Sequence, residues 1–92
     1  MKIVKAAHLN NIDTCVTITE AVDIGDIVIY IENDDERIVK VRETIPIWHK
    51  IAVLPIAKGD SVYKYGAVIG VATENIEPGH HVHTHNMGSA TT

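Results

Sequence analysis

The sequence predicts a compact all-β domain with little helix, and three observations carry that expectation. The apolar residues are mainly Ile and Val rather than Leu, Met and Ala at helical spacing, and β-branched side chains favour a pleated, half-buried surface. Turn chemistry recurs at short intervals along the chain. Glycines and three prolines leave no uninterrupted stretch long enough for a major helix. A chain of 92 residues holds one domain with a thin core, expected here over residues 1–86 with a flexible tail at 87–92.

Strands are expected, in order, at residues 15–19, 27–32, 37–42, 50–54, 61–65, 68–72 and 81–85, each a β-branched run between turn residues. Between the first two, residues 19–23 have room for one helical turn. Asn33-Asp34-Asp35-Glu36 is the clearest hairpin turn, joining the second strand to the third. Gly66 separates the fifth from the sixth, and Gly66 and Gly70 bracket a short apolar piece. Cys15 opens the first strand as the sole cysteine, so no internal disulfide and no cysteine-rich metal site is expected; a small buried hydrophobe is its simplest role.

A short echo of the form apolar-x-x-Gly-x-x-Val runs through residues 22–28, 56–62 and 76–82, with a degenerate copy at 45–51. The unequal spacings exclude a solenoid period. An apolar anchor, a residue able to take φ > 0 and a β-branched residue describe a tight corner feeding a new strand. In the degenerate copy the glycine slot holds Trp48, which must bend differently or accept strain. The next position holds Asp26, Asp60, His80 and His49, so two histidines occupy equivalent corners.

A formal charge of −4 with scattered Lys and Arg excludes the clustered basic face that nucleic acid or an anionic membrane requires. No apolar run approaches a membrane span and no signal pattern opens the chain, which makes the cytoplasm the expected compartment.

Five of the six histidines lie at or beyond His49, four of them in His80-His81-Val82-His83-Thr84-His85. On a straight strand His81, His83 and His85 would share one face, roughly 6.5–7 Å apart from one to the next. Two of them could meet on one ion; all three from one straight strand is harder. Imidazole with carboxylate or water ligands suits Fe(II), Mn(II) or Zn(II), and an open coordination position would admit a hydroxy acid. Interruption by Val82 and Thr84 and continuity with the corner at 76–82 argue against a purification remnant. His8, isolated near the amino terminus, is expected to be structural or exposed. His49 and Lys50 form a second group with Lys64, Tyr65 and Gly66: Lys and Tyr can hold a carboxylate or assist proton transfer, and Gly permits close backbone approach.

Together Ile45-Pro46, His49-Lys50, Ile56-Ala57-Lys58-Gly59, Lys64-Tyr65-Gly66, Ile69-Gly70, Ala72-Thr73 and His81-Val82-His83-Thr84-His85-Asn86 resemble the amino-terminal domain of altronate and galactarate dehydratases and the small subunit of sulfolactate sulfo-lyase. The resemblance extends from about Asn10 to Asn86. It implies an SAF or β-clip fold with long hairpins, and β-elimination from a hydroxy acid assisted by a divalent metal, most often iron, with a much larger chain supplying most of the lyase. On this reading His49 and Lys50 are catalytic candidates, Lys64, Tyr65, Gly66 and Asn86 substrate contacts, and His81, His83 and His85 metal ligands. A large lyase subunit and a small hydroxy-acid substrate are the expected partners, and self-association is compatible with them. A stand-alone SAF module that binds a small acid, a metal or a protein without turnover is the alternative. The family usually carries Gly at the position of Trp48 and an acidic residue at that of His80, so the resemblance does not specify which acid is the substrate.

Overall fold

The computed structural model describes residues 1–89 and is all-β, with no helix among the described residues. Nine strands run in order: β1 (Ile3–Lys5), β2 (Cys15–Thr17), β3 (Ile27–Glu32), β4 (Asp35–Lys40), β5 (Lys50–Ala52), β6 (Ser61–Lys64), β7 (Ala67–Ala72), β8 (His81–Val82) and β9 (Met87–Gly88). They form three sheets ordered β1-β3-β4, β2-β5-β8 and β6-β7-β9. The helical turn allowed at residues 19–23 is absent, the chain there making bends and an isolated bridge from Val22 to Ile45.

Strand parity explains how so small a chain builds two cores. On the middle sheet Val16 and Ile51 enter one cluster with Val4, Val28, Val39 and Ile45. Cys15, Ala52 and Val82 enter the other, with Ile56, Val62, Ala72 and Ile76. Alternate side chains of β2 and β5 therefore point to opposite cores, which is what a period of two dictates for a strand covered on both faces. Two hairpins flank this sheet. Glu32 pairs with Asp35 across Asn33-Asp34, and Lys64 with Ala67 across Tyr65-Gly66. All four loop residues have positive φ, between 51° and 75°, the type I′ geometry that matches strand twist.

The repeated corner is one device used four times. Gly25, Trp48, Gly59 and Gly79 all take positive φ, at 93°, 69°, 90° and 92°. After each, the next N–H closes a tight turn: Asp26, His49, Asp60 and His80 donate to the carbonyls of Asp23, Pro46, Ala57 and Glu77. The corners also fasten to one another in pairs. Gly25 donates to Val41 and Trp48 to Ile18, while Gly59 donates to Ala72 and Gly79 to Ala52, and each acceptor residue donates back one position beyond the corner residue. Bridges between Val22 and Ile45 and between Ile56 and Ile76 complete the two pairs. Trp48 thus accepts the backbone of its glycine counterparts, at a cost of about 1–2 kcal/mol for a residue with a Cβ.

Several boundaries differ from the sequence expectation: β2, β5 and β6 end early, at Thr17, Ala52 and Lys64, β7 begins at Ala67, and β4 runs Asp35–Lys40 rather than over residues 37–42, so Asp35 and Glu36 of the expected turn are strand residues. β1 was not anticipated, because three residues pairing in parallel with β3 carry no alternation long enough to recognise. The strand expected over residues 81–85 stops at Val82, and His83 enters a turn. Met87 and Gly88, assigned to the tail, pair with Ala72 and Val71 as β9; residues 90–92 of that tail lie outside the described residues.

Candidate functional site

The candidate site is built where the corner before β5 meets the end of β8. The antiparallel register pairs Ile51 with His81 and Lys50 with Val82, and one further step sets His49 opposite His83. The rings meet accordingly. His49 and His83 stack with centroids 4.1 Å apart, and His49 Nδ1 lies 2.8 Å from His81 Nε2. One ligand nitrogen from each of His49, His81 and His83 lies within 4.8 Å of the others. A divalent ion with Zn–N or Fe–N bonds near 2 Å holds its nitrogens roughly 3 Å apart, so small ring rotations convert this cluster into a three-imidazole site.

His85 is displaced from the place the straight-strand argument gave it. His83–Asn86 forms a turn, closed by Asn86 N–H to the His83 carbonyl, so His85 leaves the strand face. Its ring still approaches that of His81, at 5.1 Å and a 41° tilt. The third member of the nitrogen cluster is instead His49, which the sequence had set apart as a catalytic candidate.

Asn86 is buried and its amide is engaged on both sides: Oδ1 accepts from His83 N–H at 3.0 Å, and Nδ2 donates to the His81 carbonyl at 2.7 Å. This residue, expected as a substrate contact, holds the two histidines in place. Glu43, which sequence reasoning missed, accepts from His81 N–H at 2.7 Å and faces His80 Nδ1 at 3.3 Å. No local signal marks Glu43, because its partners are 37 and 38 residues away.

The electrostatics favour neutral imidazole. His81 is held below the ordinary histidine range by partial burial first and then by His85, His49 and His83. His83 is lowered as well, by desolvation, then His49, Lys50 and His85. The lowering of His81 and His83 favours the neutral imidazole, the form a metal ion requires. Lys50 supplies positive charge beside this cluster. Cys15 is fully buried and its thiol is pushed up to about 11 by that burial, against the opposing pull of Lys50 and Lys64, so it stays protonated and inert.

Lys64, Tyr65 and Gly66 occupy the β6–β7 hairpin, and a buried carboxylate fixes its tip. Asp13 accepts from Tyr65 N–H at 2.9 Å and from Gly66 N–H at 2.8 Å. The Lys64 ammonium lies 3.3 Å from the Tyr65 ring centroid, a cation–π contact, and Lys64 is itself buried. A Cβ on Gly66 would come within 2.5 Å of Asn10 Nδ2, so the close approach this glycine permits is taken by the chain itself. None of these contacts involves the histidines, yet Lys50 and Lys64 both act on Cys15. Asp13 was not foreseen, its hydrogen bonds spanning 52 and 53 residues. His8 packs on Tyr30 and its Nε2 lies 2.9 Å from the Asp13 carbonyl, a structural role.

A pocket of about 320 Å³ is lined by Glu43, Glu74, Glu77, His80, His85 and Asn86, the last two of which also touch the cluster. Three carboxylates make it a poor host for a hydroxy-acid anion.

The family model for the altronate/galactarate dehydratase SAF domain matches residues 4–90. The chain belongs to that family. Among relatives of this SAF domain, the (2R)-sulfolactate sulfo-lyase subunit alpha of Chromohalobacter salexigens is 35% identical over 74 residues, covering 78% of this chain and 79% of that subunit. The subunit of the same name from Paracoccus pantotrophus is 44% identical over 55 residues, covering 60% of this chain and 81% of that one. Altronate dehydratase of Escherichia coli is 46% identical over 52 residues, which are 56% of this chain and only 10% of that enzyme. An SAF domain can thus be a short subunit or a small part of a long chain. The nine-stranded all-β architecture agrees with the β-clip expectation.

Proposed function

We propose that this chain is the small subunit of a sugar-acid lyase of the dehydratase or sulfo-lyase type, acting in the cytoplasm with a larger catalytic chain on a small hydroxy acid. The convergence of His49, His81 and His83 beside Lys50 carries this reading. Three imidazoles leave coordination positions open, and a divalent ion bound there, Fe(II) foremost with Mn(II) or Zn(II) as alternatives, would act as a Lewis acid on a hydroxyl or carboxylate oxygen of the substrate. Lys50 would orient the acid by its carboxylate. The hairpin tip at Lys64 and Tyr65 is a second source of carboxylate contacts, pre-shaped by Asp13. Asn86 and Glu43 hold His81 and His83 through backbone hydrogen bonds, so the ligand set is organised before substrate arrives.

β-Elimination requires loss of the proton α to the carboxylate and departure of hydroxide or sulfite from the β carbon. A thin domain with its histidines near the surface encloses neither step, which is the reason a large chain is required. The test is reconstitution. The isolated chain is expected to show no turnover of altronate, galactarate or sulfolactate, and addition of the large lyase chain from the same organism is expected to give activity on one of them with a divalent metal present. His83→Ala and His49→Ala should each lower metal content and turnover in the assembled enzyme. Full activity of a complex carrying His49→Ala, His81→Ala and His83→Ala together would refute the assignment; tight metal binding without turnover in any complex would favour a binding module.

A further inference from the structure

We propose that Trp48 is the docking anchor by which this chain seats on its larger partner, an inference that rests on the two-chain reading above. The four equivalent corners supply an internal control. Three use glycine at φ between 90° and 93°, and the fourth forces Trp48 to 69° while making the same reciprocal backbone hydrogen bonds. The backbone demand is therefore met better by glycine. Burial within the chain does not offset the strain, since Trp48 is 64% exposed and the preceding Ile47 is 44% exposed. Tyr65, the other aromatic residue at positive φ, differs in that its ring carries the Lys64 ammonium. Strain kept at one corner out of four, with a large apolar ring held out to solvent, points to a function outside the chain.

The occupant is identified by position and chemistry. Trp48 directly precedes His49 at the same corner, so a partner seated on the indole meets the chain at the residue next to the histidine cluster. An indole suits an apolar cleft and not a polyhydroxylated anion, and tryptophan is the residue most enriched among interface anchors. In the Escherichia coli and Bacillus subtilis altronate dehydratases the matching segment is 10% of the chain, so the domain there is joined to a body many times its size. The large lyase chain is the corresponding body for this protein.

Because the chain has a single tryptophan, labelling with 5-fluorotryptophan gives a single ¹⁹F resonance that reports on this site alone. The probe is the chain of the same organism that corresponds to the remainder of altronate dehydratase. On mixing, the resonance is expected to shift and broaden. Trp48→Gly and Trp48→Ala are expected to weaken association at least tenfold by calorimetry while the isolated Trp48→Gly chain melts no lower than the parent and takes up zinc as the parent does. Unchanged affinity of both variants, or a complex that leaves the resonance unmoved, would overturn the proposal. So would a shift produced by concentrating the small chain alone, which would assign the indole to self-association, or variants that bind normally and only raise KM, which would assign it to substrate. If the parent chain itself fails to bind the large chain, the two-chain reading is what has failed, and the docking role falls with it.

Discussion

At the scale of single residues, the site depends on Asn86, whose amide oxygen and nitrogen are both engaged. Asn86 joins the carbonyl of His81 to the N–H of His83 through one amide, so it sets the separation of two imidazoles without touching either ring. Removing it leaves a half-buried carbonyl and a half-buried N–H without this partner, at about 1 kcal/mol each. Asn86→Ala is therefore expected to lower stability by about 2 kcal/mol and to weaken zinc binding by roughly 10–100-fold, the range seen when a supporting hydrogen bond to a metal ligand is lost. Urea denaturation and a zinc titration read the two effects separately. A variant that lost stability and kept zinc affinity would restrict Asn86 to a folding role. The sequence made the histidine run visible because chemistry and strand parity are local. It did not reveal that His49 replaces His85, because that depends on a cross-strand register 32 residues long and on a turn that the side chain of Asn86 helps to close.

At the scale of elements, the corner is the unit from which the fold is built, and its two requirements can be separated. A residue at the corner must take positive φ, and at some corners it must also leave room for another segment. A Cβ on Gly25 or Gly59 would meet nothing within 4 Å, whereas a Cβ on Gly79 would lie 2.2 Å from the Lys40 carbonyl oxygen and 2.8 Å from Arg42 Cγ. Gly25→Ala and Gly59→Ala are expected to cost only the backbone term, about 1–2 kcal/mol each. Gly79→Ala adds overpacking, about a further 1–3 kcal/mol. Chemical denaturation of the three variants tests the ranking, and equal losses would mean that the contact of the Gly79 corner with Lys40 and Arg42 is not closed. The corners were legible because an i to i+3 turn and its glycine are written within seven residues. Their pairing, Gly25 with Trp48 and Gly59 with Gly79, was not, because the linking hydrogen bonds run to residues outside the repeat. β9 escaped notice for a related reason: Met87-Gly88 has no strand pattern of its own and becomes a strand only because β7 offers it an edge.

At the scale of the whole molecule, two cores share one middle sheet, and the histidine cluster sits where that sheet's last strand ends. Folding and the protonation of the cluster are therefore linked. His81 and His83 have folded-state values below the ordinary histidine value of about 6.5. A lowered histidine binds fewer protons folded than unfolded, so its stabilising contribution is complete above about pH 6.5 and is lost as the pH falls below that value toward the lowered folded value. Asp23 and Asp26 are also lowered, Asp23 by the Thr44 hydroxyl first and Asp26 by the Lys2 N–H first, but their contribution fades only as the pH falls below the carboxylate range near 4. The two effects occupy different windows. Thermal unfolding of the metal-free chain should consequently show stability rising as the pH climbs to about 6.5, with a second loss in acid. Zinc competes with protons for the same nitrogens, so at pH 7.5 and a free concentration of 100 times Kd it should add about 2.7 kcal/mol, and far less at pH 5.5. The triple variant His49→Ala, His81→Ala and His83→Ala should lose both the slope just below about pH 6.5 and the zinc increment while keeping the acid loss that belongs to Asp23 and Asp26. A triple variant that kept the zinc increment would move the metal to other residues, and one that kept the slope would show that His81 and His83 are not the source of the pH dependence.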